Sequence, residues 1–326
     1  MSAPEVQPDE RISLPPYPNG WWAVAYSDEL AVGQVERVHA LGREMVLYRG
    51  ESGQAFVVDP YCAHLGAHLA VGGRVIDDTI RCPFHGWCYN GGTGRCESIP
   101  YTDKIPEKAA VGAWPVWENN GFVFVWHHAD GRDPDWTPDV ADETNDPSYV
   151  IWGKKQWTLP SHPQEIMENG VDIQHFFTLH GWKAKSIDWV PEGHRYSLRI
   201  HVDPGEDEQA ATAQNATNVD SFNSGPSLTV TRVEGAMRGI AVNVLTPLDK
   251  ESLLIRHTYY RHESTAPEVA DAFFNGYVND YELDVPIWSN KIYKQLPTIA
   301  ENDGPYVRFR RWYGQFYSKP GEGAGA

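Results

Sequence analysis

Cysteine is scarce in this chain. Four thiols in 326 residues are too few to staple a fold of this length with disulfides, so they are expected free, in a reducing cytoplasm, and available to a metal. Positive charge is scarce too. Twenty-seven Lys and Arg stand against 44 Asp and Glu, a formal net charge of −17, which argues against a nucleic-acid partner because phosphate contacts need clustered cations. Long apolar runs are missing: nothing approaches the roughly 18 uninterrupted apolar residues of a spanning helix. The opening MSAPEVQPDE is acidic and has no apolar segment, so neither a signal peptide nor a membrane span is expected.

What the chain does have is aromatics, 13 Trp and 16 Tyr, with 24 Pro and 29 Gly dividing it into short pieces. The length allows two domains, each with its own core. From Trp21 to about Trp126, short alternating runs such as EMVLYRG, AFVVD and GFVFVWH lie between Gly, Asp and Asn turns, the pattern of a small antiparallel sandwich. The acidic stretch HHADGRDPDWTPDVADETNDPSY offers little to a core and holds the domain boundary. SLTVTRV, IAVNVLTP and LLIRHTYYRH then read as strands of one antiparallel sheet, followed by a helix from roughly Ala266 to Tyr293. These pieces predict an α+β chain with domains at 17–130 and 131–318 and a disordered tail at 319–326. The polar stretch from Asp203 to Ser227 reads as a loop, either a substrate lid or an insertion.

Two short loops in the first domain mirror each other. CAHLGAH presents Cys62 and His64, and CPFHGW, after 17 intervening residues, presents Cys82 and His85. One thiolate and one imidazole per tight turn, with Gly66 and Gly86 allowing the bend, make a four-ligand metal site. Zinc accepts such a set. A Rieske [2Fe-2S] cluster needs two thiolates on one iron and two histidines on the other, which side-by-side loops supply, and neutral imidazoles raise its potential so that it accepts electrons from a ferredoxin-like donor. Cys88 and Cys96 read as small packing residues. His68 falls outside the paired pattern and reads as a surface or hydrogen-bonding residue. The Gly-rich YNGGTGRCESIP is placed to fold back as a lid over the cluster.

The second domain opens with ENGVDIQHFFTLHG, residues 168–181, read as a helix carrying His175 and His180. Alone, these are ordinary packed or solvated histidines. Beside an electron carrier they suggest two ligands of a two-His, one-carboxylate site for non-heme Fe(II). A five-residue offset puts the rings about 140° apart on an ideal helix, so Gly181 is expected to end the helix and let His180 turn. The carboxylate is sought where burial would otherwise be costly. Phe273, Tyr277, Tyr281, Asp284 and Trp288 share one aromatic face of the late helix, so Asp284 is expected buried, on a metal or an arginine. Asp280 and Glu282 are expected to face solvent, and Pro286 to kink the helix.

Taken together, Cys62, His64, Cys82, His85 and the run Asn169-x-x-Asp172-x-x-His175-x4-His180 resemble the terminal oxygenase components of Rieske non-heme iron oxygenases, from about Tyr17 to Tyr317. CAHLGAHLAVGGRV, CPFHGWCYN, IPYTDKIPE, DPDW, IWSNKIY and GPYVRFRRWYGQFY resemble the branch of 3-ketosteroid 9α-hydroxylases and cholesterol 7-desaturases. Leu65 stands where many aromatic-ring oxygenases have Arg, which fits that branch. Eukaryotic 7-desaturases carry a membrane segment, so a bacterial, soluble protein is expected. The resemblance implies an all-β Rieske domain followed by a helix-grip (START-like) catalytic domain. It implies electrons from NAD(P)H through a separate ferredoxin and/or flavin reductase, and hydroxylation or desaturation by O2 of a large apolar, steroid-like substrate. It again points to Asp284 as the iron-binding acid, implies roles for Asn169 and Asp172, and implies a head-to-tail homotrimer in which Asp172 links a neighbour's His85 or His64 to His175. An aromatic substrate, a pure electron-transfer protein and a zinc-stabilised binding module remain the other readings; a Rieske ferredoxin would end soon after about residue 120.

Overall fold

The computed structural model describes residues 11–182, 184–202, 218–235 and 237–318. The expected tail at 319–326 lies outside them. Contacts divide the chain into two units, residues 21–137 and residues 138 onward together with the N-terminal segment. The division falls inside the acidic stretch. Residues 17–20, expected to open the first domain, belong with the second unit.

The first unit is built from eleven short strands, β1 (Gly20–Tyr26), β2 (Val35–Ala40), β3 (Arg43–Arg49), β4 (Ala55–Val58), β5 (Arg74–Ile76), β6 (Thr79–Arg81), β7 (Cys88–Asn90), β8 (Cys96–Ser98), β9 (Ala113–Trp114), β10 (Val116–Asn119) and β11 (Phe122–His127). They form three small sheets, ordered β1-β11-β10, β2-β3-β4-β9 and β5-β6-β7-β8. Val46, Tyr48, Val58, Leu69, Ile80 and Tyr89 are fully buried in one core together with Cys62 and Cys82. Each large side chain removed from water there contributes roughly 1.5–3 kcal/mol. The two Cys/His loops are therefore anchored in the core at their cysteine ends.

The second unit has one seven-stranded antiparallel sheet, of β12 (Tyr149–Leu159), β13 (Ala184–Glu192), β14 (Arg195–Val202), β15 (Asn218–Ser224), β16 (Leu228–Val233), β17 (Gly239–Pro247) and β18 (Leu253–His262), in the order β12-β18-β17-β16-β15-β14-β13. Against it pack α1 (Pro163–Asn169), α2 (Ile173–Thr178), α3 (Pro267–Asn290) and α4 (Tyr306–Tyr313). The 24-residue α3 lies on the sheet through rings: Tyr281 stacks on Trp157 of β12, and Phe274 and Tyr277 meet Tyr259 of β18 edge-on. Pro286 does not stop it, because Pro286 is on the exposed side of the helix, where the carbonyl it leaves unbonded is cheap. Arg11 caps the far end, donating to the carbonyls of Trp288, Ser289 and Lys291 at 2.9–3.3 Å. This ties the N-terminal segment to the second unit.

Part of the expected 203–227 loop is a strand. Residues 203–217 lie outside the described set, but Asn218–Ser224 is β15, paired to both β14 and β16. Its polar letters hid it. Ser221 and Asn223 are buried because this strand forms part of a cavity wall, where hydroxyl and amide groups are tolerated, and Ser224 is buried in hydrogen bonds with Asp139.

Candidate metal centres and active site

The Cys62 and Cys82 loops repeat one hydrogen-bond pattern. Cys62 N–H donates to Ala67 O at 2.9 Å and Gly66 N–H to Cys62 O at 2.9 Å; Cys82 N–H donates to Trp87 O at 2.8 Å and Gly86 N–H to Cys82 O at 3.1 Å. Gly66 at φ +73° and Gly86 at φ +75° occupy the left-handed region that makes the turn possible. The thiols of Cys62 and Cys82 touch, and the His64 and His85 rings meet edge-on at 4.6 Å. Burial pushes the Cys82 thiol up, while backbone N–H groups of Phe84 and His85 donate to its sulfur and favour the thiolate. The Tyr89 hydroxyl lies 3.0 Å from the Cys62 sulfur, and His64 stacks on Trp87 at 4.6 Å. His64 Nδ1 is buried with no hydrogen-bond partner among the described residues. Two sulfurs on one side, two rings on the other and an unspent ring nitrogen fit a cluster that takes two Cys and two His.

The surrounding residues sort as follows. Cys88 and Cys96 are buried packing residues. His68 accepts from Ala70 N–H and sits 3.4 Å from Glu44. Of the segment expected to fold back over the cluster, the glycine turn does not, since Gly91 packs on Phe56 and Tyr48 inside the core, while its last residue, Pro100, does. What comes back to the cluster loops is the chain after β8, where Pro100 lies against Gly86 and the Tyr101 hydroxyl oxygen accepts from Trp87 Nε1–H at 2.9 Å.

In the second unit, residues 168–181 are not one helix. α1 ends at Asn169, the chain turns through Gly170–Asp172, and α2 starts with Asp172 as its N-cap, Oδ1 accepting from Gln174 N–H and His175 N–H at 3.1 Å each. Asp172 is a strong capping residue, and its preference for that role beats helix continuation. The break folds Asn169 back onto the histidine, with Nδ2 donating to His175 Nε2 at 2.9 Å. Gly181, at φ +69°, bends the chain after α2, and Trp182 N–H closes onto Phe176 O at 2.8 Å. His180 is thereby turned inward and buried.

Donor atoms of His175, His180 and Asp284 lie within 4.8 Å of one another. His180 Nε2 is 3.4 Å from Asp284 Oδ2, and Asn169 Nδ2 donates to the same oxygen at 3.4 Å. His175 Nδ1 is 2.6 Å from the Asp172 carbonyl, which can only accept, so Nδ1 carries the proton and Nε2 offers its lone pair to the site. Burial holds His175 below the ordinary imidazole range. Burial pulls His180 the same way, but Asp284 and Asp280 outweigh it and His180 is raised. Asp284 is only 5% exposed, the burial expected from its helical face. Two neutral-capable rings and one sunken carboxylate fit a mononuclear site for iron.

A further expectation is overturned. Asp280 does not face solvent: it sits 3.6 Å from His180 Nδ1, accepts from Trp182 Nε1 at 3.3 Å, and burial raises its pKa. The signal was present, since Asp280 stands one helical turn before Asp284. Glu282 is exposed as expected, paired with Lys155.

The three donors stand in the wall of a cavity between the sheet and the helices, with about 890 Å³ of space between its atoms, mouth included. Ile166, Met167, Phe176, Leu198, Leu245 and Trp288 make it largely apolar.

Residues 20–110 match the Rieske [2Fe-2S] domain family, which decides between cluster and zinc in the first unit, and residues 125–317 match the 3-ketosteroid 9alpha-hydroxylase C-terminal domain family. The class is therefore that of Rieske oxygenase components. Within it the chain belongs to the family of 3-ketosteroid 9α-hydroxylases and cholesterol 7-desaturases. It is 34% identical to cholesterol 7-desaturase nvd of Hemicentrotus pulcherrimus, over 94% of this chain and 71% of that one. It is 31% identical to the oxygenase component of 3-ketosteroid-9-alpha-monooxygenase of Rhodococcus rhodochrous, over 92% of this chain and 84% of that one. Its fold is similar to that of NdmA of Pseudomonas putida CBB5 with caffeine, at a TM-score of 0.71 and 19% identity, over 90% of this chain and 89% of that one. None of the described helices is long and apolar enough to cross a membrane.

Proposed function

We propose that this chain is a cytoplasmic oxygenase component that oxidises an unactivated C–H bond of a steroid or sterol-like molecule. Cys62, His64, Cys82 and His85 hold the [2Fe-2S] cluster; His175, His180 and Asp284 hold the iron. The observation that carries this reading is the convergence of those last three side chains on an apolar cavity. Iron in that set supplies dioxygen activation, and the cluster supplies electrons that originate in NAD(P)H and pass through a separate ferredoxin and/or flavin reductase.

The chain's own residues prepare the site. The Asp172 carbonyl fixes the His175 tautomer, and the Asn169 amide, which donates to both His175 Nε2 and Asp284, would yield the Nε2 lone pair to iron and stay on Asp284. Phe176, Trp182 and Trp288 line the approach and exclude water. Electrons enter from the neighbouring member of a head-to-tail homotrimer, at Asp172, whose carboxylate is also bonded by the Tyr306 hydroxyl.

The test is reconstitution with reductase and a panel of steroids, aromatic acids and alkylamines, followed by NAD(P)H consumption and product mass. A steroid gaining one oxygen atom, or losing two hydrogens, is the expected product. Turnover of aromatic acids alone defeats the proposal. Asp172→Asn keeps an oxygen to cap α2 but loses the charge, so both metals are expected to stay bound while product formation collapses. Full turnover in that variant removes Asp172 from the electron route.

A further inference from the structure

Strands β15, β16 and β17 bring polar side chains into a largely apolar cavity, including Thr231 and Asn243. We propose that Asn243 Oδ1 accepts a hydrogen bond from a hydroxyl on the substrate, so that the site takes a hydroxylated sterol in preference to the matching ketone. This deepens, and rests on, the steroid reading above.

Asn243 is 4% exposed. It shares one face of β17 with Leu245, two residues on, which lines the same cavity. Its Nδ2 donates to the Tyr277 hydroxyl at 3.0 Å, and that hydroxyl is also hydrogen-bonded with Thr231 and Tyr281. One of the two N–H donors of the amide is thus engaged. Asn243 Oδ1 is buried and has no hydrogen-bond partner among the described residues. An amide oxygen can only accept, and leaving it buried and unpartnered is unfavourable. A substrate hydroxyl brings the missing donor. A ketone brings a second acceptor and no donor, so Oδ1 stays unpartnered.

Position adds a size requirement. Tyr277 precedes Asp284 by seven residues on α3, two turns or roughly 10 Å along the axis. A molecule anchored beside Tyr277 and oxidised beside Asp284 has to extend over that length, which suits a fused multi-ring compound and not a single aromatic ring.

The experiment compares the binding of cholesterol and of the ketone made by oxidising its hydroxyl, read by quenching of tryptophan fluorescence, since Trp182 and Trp288 line the cavity. The unmodified protein is expected to bind cholesterol roughly tenfold or more tightly than the ketone. Asn243→Leu is expected to lose that preference, and Asn243→Asp, which retains an acceptor oxygen, to keep it; thermal unfolding by circular dichroism checks that both variants fold. Equal affinities in the unmodified protein, as when a water alone satisfies Oδ1, overturn the assignment. So does tighter binding of the ketone, or an undiminished preference in folded Asn243→Leu. If neither steroid binds while a small aromatic acid does, the steroid reading itself falls; if both bind without discrimination, only the role of Asn243 falls.

Discussion

Asp284→Ala is expected to remove iron from the second domain and abolish product formation while the red-brown absorbance of the [2Fe-2S] cluster persists. Asp284 provides the one carboxylate in the donor set, and it is held by the Asn169 amide and faced by His180 Nε2 at 3.4 Å. Loss of a group that merely supports a metal ligand costs about 10- to 100-fold in affinity; loss of a candidate ligand should cost at least the upper end of that range. Glu282→Ala, two residues earlier and exposed, is the control. The measurement is iron per chain beside the visible spectrum: two irons per chain with a full cluster signal is the expected result, against three before substitution. Three irons and undiminished turnover in Asp284→Ala would show that the carboxylate lies elsewhere.

Arg310→Ala is expected to destabilise the second domain by about 3–5 kcal/mol, lowering its unfolding midpoint by roughly 6–20 °C. The Arg310 guanidinium grips Glu168 with two bonds, Nε to Oε2 at 2.5 Å and Nη2 to Oε1 at 2.7 Å, and Nη1 reaches the Lys294 carbonyl. The paired side chains are only 16% and 9% exposed. Taking away the cation leaves Glu168 buried and unpaired one residue before Asn169, so iron binding should weaken along with stability. Replacing both partners, Arg310→Met with Glu168→Leu, removes the stranded charge and is expected to cost markedly less than Arg310→Ala alone. Differential scanning calorimetry of the single and double variants decides; equal losses would mean that the pair acts through packing and not through charge.

The cluster loops were legible because everything that forms them is local. Donor type, a one- or two-residue gap and a glycine in each loop dictate a turn whatever surrounds it, and the resemblance carried by those letters agrees with the family match at residues 20–110. Asp284 was legible for another reason. A carboxylate on an aromatic helical face demands a partner, and the helix period exposes the conflict. Asp280 was misread by the same reasoning: helical period tells which residues share a face, but not how wide a strip the neighbouring elements cover. The break between α1 and α2 was misread because capping by Asp172 competes with helix continuation, and the outcome depends on Asn169 finding His175 across the turn. β15 was hidden because alternation of apolar residues marks a strand beside a dry core, whereas this one lies beside a cavity with polar walls.

By itself, then, the order of residues determined the chemistry of the donors and their short-range geometry, because thiolate, imidazole and carboxylate identities and tight-turn spacing do not depend on distant packing. Only the tertiary structure decided which distant groups meet them. Asp284 comes 104 residues after His180 in the chain, and Asp280 meets His180, and Arg310 meets Glu168, across separations of that order. Such pairings are set by how α3 and α4 settle on a seven-stranded sheet, a balance of burial and hydrogen bonding that no local spacing encodes.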